Sequence, residues 1–411
     1  MMLTKYESYQ ESGVDWLGNI PEDWDVKRIK DVIVKIGSGI TPKGGSEIYP
    51  ITGIPFLRSQ NVYDEGLELD NVAFITEEIN EKMKSSQIKP NDILLNITGA
   101  SIGRTCIVPD YLKKANINQH ISFIRLKNKT NIDFFSLYLK SHFLKEYISS
   151  QQNGTSKEAF NLAQIAIIPI LDFDNNYSRL ISNFLDQKTS QIDRKIELLQ
   201  EKKESYEELK KSLINETVCR GLNKDVELKD SEIEWIGQIP INWEIKRLKD
   251  KFTLMSSRIN YFEGTKDYLS TKSISNNKVE EIEEIITYEN RPDRANMQPK
   301  INSVWFAKLR FTDKSYLFDK NEEVIKYILS TGFAGLLCNE VHKKFAYYFI
   351  ISEYFLYQKD SFSYGTTQEA ITEPNIKSII FLSQPKQEQI EIANYLDEKT
   401  SKIDKIISKN K

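Results

Sequence analysis

The stretch WLGNIPEDWDVKR, at Trp16–Arg28, recurs 219 residues later as WIGQIPINWEIKR, at Trp235–Arg247, so the sequence contains an internal repeat. Seven of the 13 positions are identical. A second stretch, LDQKTSQIDRKI at Leu185–Ile196, recurs 211 residues later as LDEKTSKIDKII at Leu396–Ile407. Repetition at a nearly fixed spacing predicts repeated structure. The 411 residues are therefore predicted to form two copies of one frame, and they suffice for two or three domains.

Each copy of the frame encloses a middle that differs from the other. The closing part of the frame also includes NGTSKEAF at Asn153–Phe160 and its counterpart YGTTQEAI at Tyr364–Ile371. Between the opening and closing blocks, residues 34–127 and 252–342 share no evident sequence likeness. A shared frame that holds two different inserts predicts two modules in a fixed relation that bind different things.

The middles contain short β-type runs, whereas the closing blocks are helical. Ile54–Leu57, Ile121–Leu126 and Ser303–Ala307 are examples of these runs, and Gly, Pro, Asn and Asp separate them. The glycine pair Gly37-Ser38-Gly39 is predicted to form a turn. We therefore predict an α+β fold in which long helices separate two compact α/β modules.

An apolar seam predicts that the first closing helix forms a coiled coil. Apolar residues occupy most positions of a seam with alternating steps of three and four, and Thr189, Lys203 and Lys210 occupy the others. The apolar residues are Leu185, Ile192, Ile196, Leu199, Tyr206 and Leu213. We expect these side chains to be buried against the other helix or a partner. The segment Glu197–Ile214 has no counterpart in the second copy. At 1.5 Å per residue this leaves roughly 27 Å of helix unpaired.

Composition indicates a folded protein of the cytoplasm. The hydrophobic fraction is 40% and the charged fraction 28%, as in soluble globular proteins. The first ten residues are polar and give no secretory signal, and the longest apolar run, Phe345–Ile351, is too short to cross a membrane. Cys106, Cys219 and Cys338 are far apart in sequence, which fits a reducing compartment.

No motif in the sequence predicts catalysis or metal binding. The phosphate-binding pattern G-x-x-x-x-G-K-[ST] and the Asn-Pro-Pro-aromatic signature of adenine methyltransferases are both absent. A nuclease hypothesis rests on two acid–x–Lys pairs, Asp25 with Lys27 and Glu244 with Lys246, which could hold Mg²⁺. Both pairs fit an amphipathic strand better, since no well-placed second acid accompanies Glu244. The three histidines, His120, His142 and His342, are isolated from one another.

The middles carry polar residues of the types that contact DNA. Arg, Asn and Gln pair with base edges, and glycine-rich loops approach phosphates closely. The candidates in the first middle are Thr41, Lys43, Arg58, Ser59, Gln60, Asn61, Thr98, Ser101, Arg104, Asn118 and Gln119. Those in the second are Arg258, Lys266, Ser270, Thr271, Lys272, Arg291, Arg294, Lys308, Arg310 and Thr331. For any single one, a surface or turn role fits as well as DNA contact.

The net charge of −3 limits how such residues could bind DNA. Simple DNA-binding proteins carry a basic surplus, because neutralising phosphates supplies much of their affinity. Any DNA contact must therefore come from local basic clusters, or a partner must supply much of the positive field.

The repeated blocks resemble a known family. WLGNIPEDWDVKRIKD and WIGQIPINWEIKRLKD resemble the start of each half of type I restriction-modification specificity subunits. ISNFLDQKTSQIDRKIELL and IANYLDEKTSKIDKII resemble the helical conserved regions of that family, and GIPFLRSQNV, NITGASIGRTCIV and ENRPDRANM resemble parts of its recognition modules. The resemblance covers essentially the whole chain.

The resemblance implies an architecture and a set of partners. Residues 1–150 would be a first target recognition domain and 151–222 a first helical region, followed by a second domain at 223–362 and a shortened helical region at 363–411. The helices would pair as an antiparallel coiled coil that sets the unread spacer of a split site in double-stranded DNA. Two adenine-methyltransferase subunits and motor-nuclease subunits would bind. S-adenosylmethionine, ATP and Mg²⁺ would belong to these partners, and this chain would bind no cofactor.

Two other functions remain open at this point. The chain could be a stand-alone sequence-specific DNA-binding protein, or the targeting subunit of a related defence system, and would then bind its site without a methyltransferase. It could instead be a nuclease that uses the acid–x–Lys pairs, and the purified chain would then cut DNA with a divalent metal.

Overall fold

The computed structural model describes residues 6–44, 48–128, 131–150, 160–255, 259–365 and 369–409. The predicted DNA-contacting Arg258 and most of NGTSKEAF lie outside these residues, as does part of YGTTQEAI. The chain divides into two compact units, Met1–Arg194 and Lys195–Lys411, which we call the first and second unit.

The first unit contains short strands and helices followed by one long helix. Its strands are β1 (Tyr9–Glu11), β2 (Asn19–Pro21), β3 (Asp25–Arg28), β4 (Ile33–Ser38), β5 (Ile54–Leu57), β6 (Val62–Tyr63), β7 (Gly66–Leu67), β8 (Ala73–Ile75), β9 (Gln87–Ile88), β10 (Ile93–Asn96), β11 (Thr105–Ile107), β12 (Ala115–Ile117), β13 (Ile121–Leu126) and β14 (Pro169–Asp172). Its helices are α1 (Ile29–Val32), α2 (Glu77–Lys82), α3 (Ile132–Lys140), α4 (His142–Ser150), α5 (Leu162–Ala166) and α6 (Asn175–Arg220), which continues into the second unit.

The second unit repeats this succession. Its strands are β15 (Leu228–Asp230), β16 (Gln238–Pro240), β17 (Glu244–Arg247), β18 (Thr253–Met255), β19 (Lys266–Leu269), β20 (Ile274–Ser275), β21 (Lys278–Val279), β22 (Glu284–Ile286), β23 (Ala295–Met297), β24 (Ser303–Ala307), β25 (Ser315–Phe318), β26 (Tyr327–Ser330), β27 (Phe333–Leu337), β28 (Ser363–Tyr364), β29 (Ala370–Ile371) and β30 (Ile380–Ser383). Its helices are α7 (Leu248–Lys251), α8 (Asn321–Lys326), α9 (Lys343–Ile351), α10 (Glu353–Ser361), α11 (Glu373–Ser378) and α12 (Lys386–Lys409).

The two middles, which share no evident sequence likeness, have the same topology. One sheet has the order β4-β13-β10-β11 in the first unit and β18-β27-β24-β25 in the second. The other has the order β8-β5-β12-β9 and β22-β19-β26-β23, with a parallel central pair in both cases. The expectation that the middles would differ is therefore wrong for the fold. A core needs apolar side chains of suitable volume at the inward positions, and different residues can supply them.

The predicted α+β class is confirmed, and one local prediction is wrong. Gly37 and Ser38 end β4 rather than forming a turn. Gly37 is paired in register with Phe123 of β13, and a Cβ at Gly37 would lie 2.7 Å from the Phe123 ring. The glycine is needed because the aromatic ring lies over the backbone of the neighbouring strand.

The repeated blocks join each other in both units. The opening strand β3 pairs antiparallel with the closing strand β14, and β17 pairs with β30 in the same way. Asp25 is opposite Asp172, and Glu244 is opposite Ser383, so the register is also the same. The opening and closing blocks thus form one structural piece that brings the two ends of each middle together.

Corresponding tryptophans have corresponding surroundings, as a true duplication requires. Trp16 packs against two tyrosines of the α3–α4 pair, with ring centroids 6.2 Å from Tyr138 and 6.1 Å from Tyr147. Trp235 packs against Tyr354 and Tyr357 of α10 at 5.1 and 5.7 Å.

The end of α6 packs antiparallel to α12 within the second unit. Lys210 Nζ lies 2.7 Å from Asp404, and Gly221, just after α6, lies beside Glu388 near the start of α12. Ile214 of α6 belongs to the same core as residues of α12. The expectation that Glu197–Ile214 would be unpaired is therefore wrong for its C-terminal end. None of the described helices has the length and apolar character needed to cross a membrane.

The predicted burial of the α6 seam is not found over its first half, whereas Leu199, Tyr206 and Leu213 are partly buried and Leu213 packs against the core that contains Ile214. Leu185, Ile192 and Ile196 are 36%, 57% and 49% exposed. Leu396 is the counterpart of Leu185 in the second copy, and it is fully buried in the core that contains Ile214. The two similar stretches therefore have different surroundings in the two units, because α12 has a packing partner at this face.

Replacing these two leucines tests the difference. In the isolated chain, Leu396→Ala should lower the free energy of unfolding by about 2–5 kcal/mol, since it leaves a cavity. The matched variant Leu185→Ala should change it by about 0.5 kcal/mol or less, as at other exposed positions. Chemical denaturation followed by circular dichroism measures both. Equal losses in the two variants would contradict the packing described here.

Candidate nucleic-acid interface

Three loops meet at one end of the first unit's sheets, and they carry most of its predicted DNA-contacting residues. The loops follow β5, β10 and β12. Asn96 Nδ2 donates hydrogen bonds to Ser59 O at 2.8 Å and to Ser101 Oγ at 3.2 Å, which joins the first two loops. Asn118 N donates to Leu57 O at 3.0 Å, which joins the third loop to the strand end before the first.

The second unit brings together the three corresponding loops, which follow β19, β24 and β26. Lys308 N donates to Gly332 O at 2.8 Å, and Thr331 N donates to Arg294 O at 2.8 Å. A Cβ at Gly332 would be 3.3 Å from the Thr271 methyl group. Of the predicted residues, Thr271, Arg294, Lys308 and Thr331 are therefore close together.

The loop after β5 in the first unit and the loop after β19 in the second have the same turn. In Arg58-Ser59-Gln60-Asn61, the side chain of Asn61 accepts a hydrogen bond from Arg58 N at 2.9 Å. In Ser270-Thr271-Lys272-Ser273, Ser273 Oγ accepts from Ser270 N at 3.1 Å. The fourth residue of this turn, Asn61 or Ser273, is buried and holds the shape of the turn. The two middle residues lie between these fixed ends.

Two predicted contacts are buried groups that hold the loops. Asn61 is 1% exposed, and its side chain also donates to Glu68 O at 2.9 Å. Asn118 is buried, and its side chain accepts from His120 N at 3.1 Å. Their hydrogen bonds favour a structural role over direct contact with bases, because a buried amide is costly to leave unpaired.

A row of hydrogen-bonded side chains crosses the first unit's loops. The Thr41 hydroxyl donates to the Gln119 side-chain oxygen, and Gln119 Nε2 lies 3.0 Å from His120 Nε2. His120 Nδ1 in turn lies 2.6 Å from Thr98 Oγ1. His120 was not among the predicted contacts, although the run Asn116–His120 reads NINQH and is polar at four of its five positions.

Gly39 allows this row to form. A Cβ at this position would collide with the backbone carbonyl oxygens of Ile117 and Asn118. The chain after β4 can therefore pass the turn after β12 closely only with glycine here. This close approach is what brings Thr41 to Gln119.

The remaining predicted residues of the first unit differ in exposure. Lys43 and Gln60 are exposed, whereas Arg58, Ser59, Ser101 and Arg104 are half-buried. The guanidinium of Arg104 lies 4.7 Å from the centre of the Tyr63 ring, a cation–π contact.

Two predicted cations of the second unit are paired with acids of the same chain. Lys272 Nζ lies 3.0 Å from Glu283, which also accepts a hydrogen bond from Ser270 Oγ. Arg310 forms an ion pair with Glu369. These pairs lower the positive field at the loops.

The two other predicted lysines, Lys266 and Lys308, have pKa values below the ordinary value for lysine. Burial lowers the pKa of Lys308 and that of Lys266. Lys266 is not with the three loops, since it begins β19 and its Nζ donates to Ile325 O at 2.5 Å. Arg291 stacks on the Tyr288 ring at 4.0 Å. The position of Lys266 and its hydrogen bond therefore place it apart from Thr271, Lys308 and Thr331.

The acid–x–Lys pairs of the nuclease hypothesis are ion pairs on frame strands. Lys27 pairs with Asp172 on the adjacent strand, which raises the pKa of Lys27, and Lys246 Nζ lies 3.0 Å from Glu244. The residue opposite Glu244 is Ser383, so the second copy lacks the facing acid. Among the described residues, no group of three or more His, Cys, Asp or Glu could hold a metal ion.

Burial also makes the cysteine thiols poor nucleophiles. It raises the pKa of each thiol, in Cys106, Cys219 and Cys338, to about 12. The thiolate is the reactive form, so these three residues are protonated and inert near neutral pH.

Comparison with known proteins identifies the family. The family model of the type I restriction modification DNA specificity domain matches residues 21–205 and 240–411. The chain therefore belongs to this family, and it is a specificity subunit of a type I restriction-modification system.

Relatives and solved structures agree with this assignment. A putative type I restriction enzyme MjaX specificity subunit of Methanocaldococcus jannaschii is 25% identical, over 96% of this chain and 90% of that protein. The EcoBI specificity subunit of Escherichia coli is 26% identical, over 38% of this chain and 34% of its own. The fold is similar to that of the HsdS subunit from Thermoanaerobacter tengcongensis, with a TM-score of 0.60 and 14% identity over 95% of this chain and 93% of that one. A chain from a structure of type I R-M system assembly has a TM-score of 0.68 and 15% identity, with the same two coverages.

Neighbouring residues of one loop should respond differently to substitution. Asn61→Ala should lower the free energy of unfolding by about 1–3 kcal/mol, since it leaves buried backbone groups unpaired. The control Gln60→Ala alters an exposed side chain and should change it by about 0.5 kcal/mol or less. Thermal and urea unfolding of the isolated chain check both values. A neutral Asn61→Ala variant would show that the side chain does not hold the turn.

Proposed function

We propose that this specificity subunit reads a split site in double-stranded DNA, with each unit contacting one half through its three loops. The observation that supports this most strongly is the pairing of one topology with two different sets of loop residues. The loop after β5 carries Gln60 where the loop after β19 carries Lys272. Because the scaffold is the same and the polar groups differ, each unit would recognise a different base sequence.

The chemistry of the exposed and half-buried loop residues suits recognition of base edges. Gln119 and Gln60 offer amide groups that can pair with adenine, and Arg104 offers a guanidinium that can pair with guanine. In the second unit Lys272, Arg294 and Arg310 offer cationic groups to guanine or to phosphates. Lys272 and Arg310 would exchange their glutamate partners for DNA, which would cost affinity and add selectivity.

The partners would supply the chemistry and part of the DNA affinity. We propose that two adenine-methyltransferase subunits dock on the helices and that motor-nuclease subunits join them, all in the cytoplasm. The exposed apolar side chains of Leu180, Ile192 and Ile196 on α6 support a docking surface there. The net charge of −3 fits a chain whose partners contribute many phosphate contacts. S-adenosylmethionine, ATP and Mg²⁺ would be bound by those partners, and this chain would have no catalytic role.

A stand-alone DNA-binding protein is the competing function. It would bind one site specifically without a methyltransferase, whereas the proposed subunit should need its partner. Electrophoretic mobility shift of a site-containing duplex, with and without the methyltransferase subunits, distinguishes the two.

Exchange of one middle tests the independence of the units. Replacing residues 33–126, from the start of β4 to the end of β13, with the corresponding segment of another specificity subunit should change one half of the methylated site. The other half should stay the same, because the second unit keeps its own loops. Single-molecule sequencing of methylated DNA from cells that carry the complex gives the result. A change in both halves would refute independent reading.

Lengthening α6 tests whether the helix sets the spacer. Four residues inserted at Asp193 add about 6 Å and slightly more than one turn, so the helix faces stay almost in register. Since base pairs are about 3.4 Å apart, the unread spacer should lengthen by roughly two base pairs.

The control places the same four residues in the loop at Asn223, outside the helix. This variant should methylate the original spacing. The ruler proposal is refuted if the Asp193 variant forms an active complex that still methylates only the original spacing.

A further inference from the structure

Phe311 has an exposure and a backbone conformation that are both unusual for an aromatic residue. It lies in the loop between β24 and β25, where its side chain is 80% exposed and its φ is 56°. Bulky residues rarely adopt this left-handed conformation, because the Cβ crowds the backbone. Such strain persists only where the surrounding structure enforces it, and it is concentrated at functional sites.

A buried lysine enforces the shape of this loop. Lys359 of α10 is fully buried, and its Nζ donates to Leu309 O and Thr312 O, both at 2.9 Å. Its charge is balanced by Asp360 at 2.9 Å, and Asp360 in turn accepts a hydrogen bond from Phe311 N at 3.0 Å. Lys359 and Asp360 of α10 therefore fix the backbone on both sides of Phe311 by hydrogen bonds. A buried charge is costly unless it is paired, so this loop is built to present the ring.

The corresponding loop of the first unit makes its turn without an aromatic residue. In the loop between β10 and β11, the left-handed residues are both glycines, Gly99 with a φ of 68° and Gly103 with a φ of 85°. Glycine adopts this conformation at no steric cost. The hairpin of the second unit could be closed in the same way, so the turn does not explain the phenylalanine.

The residues around Phe311 indicate that its ring contacts DNA. Lys308 and Arg310 are in the same loop, and the Arg310 guanidinium lies 4.7 Å from the centre of the Phe311 ring. The loop is bonded to the turn at Thr331-Gly332, next to the exposed Arg294. An apolar ring beside two basic side chains, of which Arg310 is paired with Glu369, suits a polyanion whose interior is a stack of flat apolar bases.

We propose that Phe311 is a wedge that inserts between two base pairs of the half-site read by the second unit. This rests on the proposed function, because it assumes that the three loops face DNA. Apolar side chains inserted at a base step partly unstack it and kink the duplex. Steps differ in how easily they unstack, so the wedge would add selectivity at a position where the protein makes no hydrogen bond to a base.

The test uses Phe311→Gly in the complex of this chain with its methyltransferase subunits and a duplex that contains the methylated site. Glycine removes the ring and relieves the backbone strain. The variant chain should therefore unfold at a higher temperature than the wild type, whereas the complex should bind the duplex about tenfold more weakly or worse. Fluorescence of 2-aminopurine placed along the second half-site should show one unstacked step with the wild type and none with the variant.

Two further variants complete the design. Phe311→Leu keeps an apolar wedge and should retain most of the binding and the unstacking signal. Ile325→Ala removes another exposed apolar side chain of the same unit, on α8, and should change neither.

The possible failures can be told apart. Normal affinity and normal unstacking in Phe311→Gly overturn the wedge and leave the proposed function standing. A lower unfolding temperature in that variant shows that the ring packs within the fold, which also overturns the wedge. Absence of sequence-specific binding by the wild-type complex overturns the proposed function and the wedge together.

Discussion

The antiparallel pairing of an opening strand with a closing strand is the constraint on which each unit depends. In β3–β14 and β17–β30, backbone hydrogen bonds tie together segments that are about 140 residues apart. Each inserted module must therefore start and finish at the same place, whatever its own sequence. Because the ends are fixed, the loops at the far end of the sheets can vary without disturbing the frame.

Inside the modules, buried polar side chains fix the shapes of the loops. Asn61 and Ser273 hold equivalent turns, Asn118 holds the turn after β12, and Lys359 holds the loop that presents Phe311. Each of these groups is buried with its hydrogen bonds satisfied, so any distortion of its loop would leave a buried polar atom unpaired. The loops are thereby given defined shapes. The exposed neighbours of these residues can then be presented to a partner without a large ordering cost.

The ion pairs of the second unit give the loops a moderate rather than a strong positive field. Lys272 and Arg310 are matched by Glu283 and Glu369, and the chain as a whole has a net charge of −3. A subunit with free cations at every loop would bind any DNA tightly, since phosphate contacts carry no sequence information. Under the proposed function, internal acids that DNA must displace would reduce this indiscriminate binding and would make affinity depend on the partners and on the correct bases.

The sequence by itself determined the duplication, the α+β class, the helical closing blocks and the family, because these depend on local patterns and on a repeat. It also placed Thr41, Gln119, Lys308 and Thr331 among the candidates, since residue type is readable locally. Only the tertiary structure decided that the two unlike middles share one topology, that Leu396 is buried while Leu185 is exposed, and that Asn61 faces inward. Burial and backbone strain arise from neighbours distant in sequence, and Phe311 is distinguished by these alone. A residue on a loop has no periodic pattern that could reveal which way it faces.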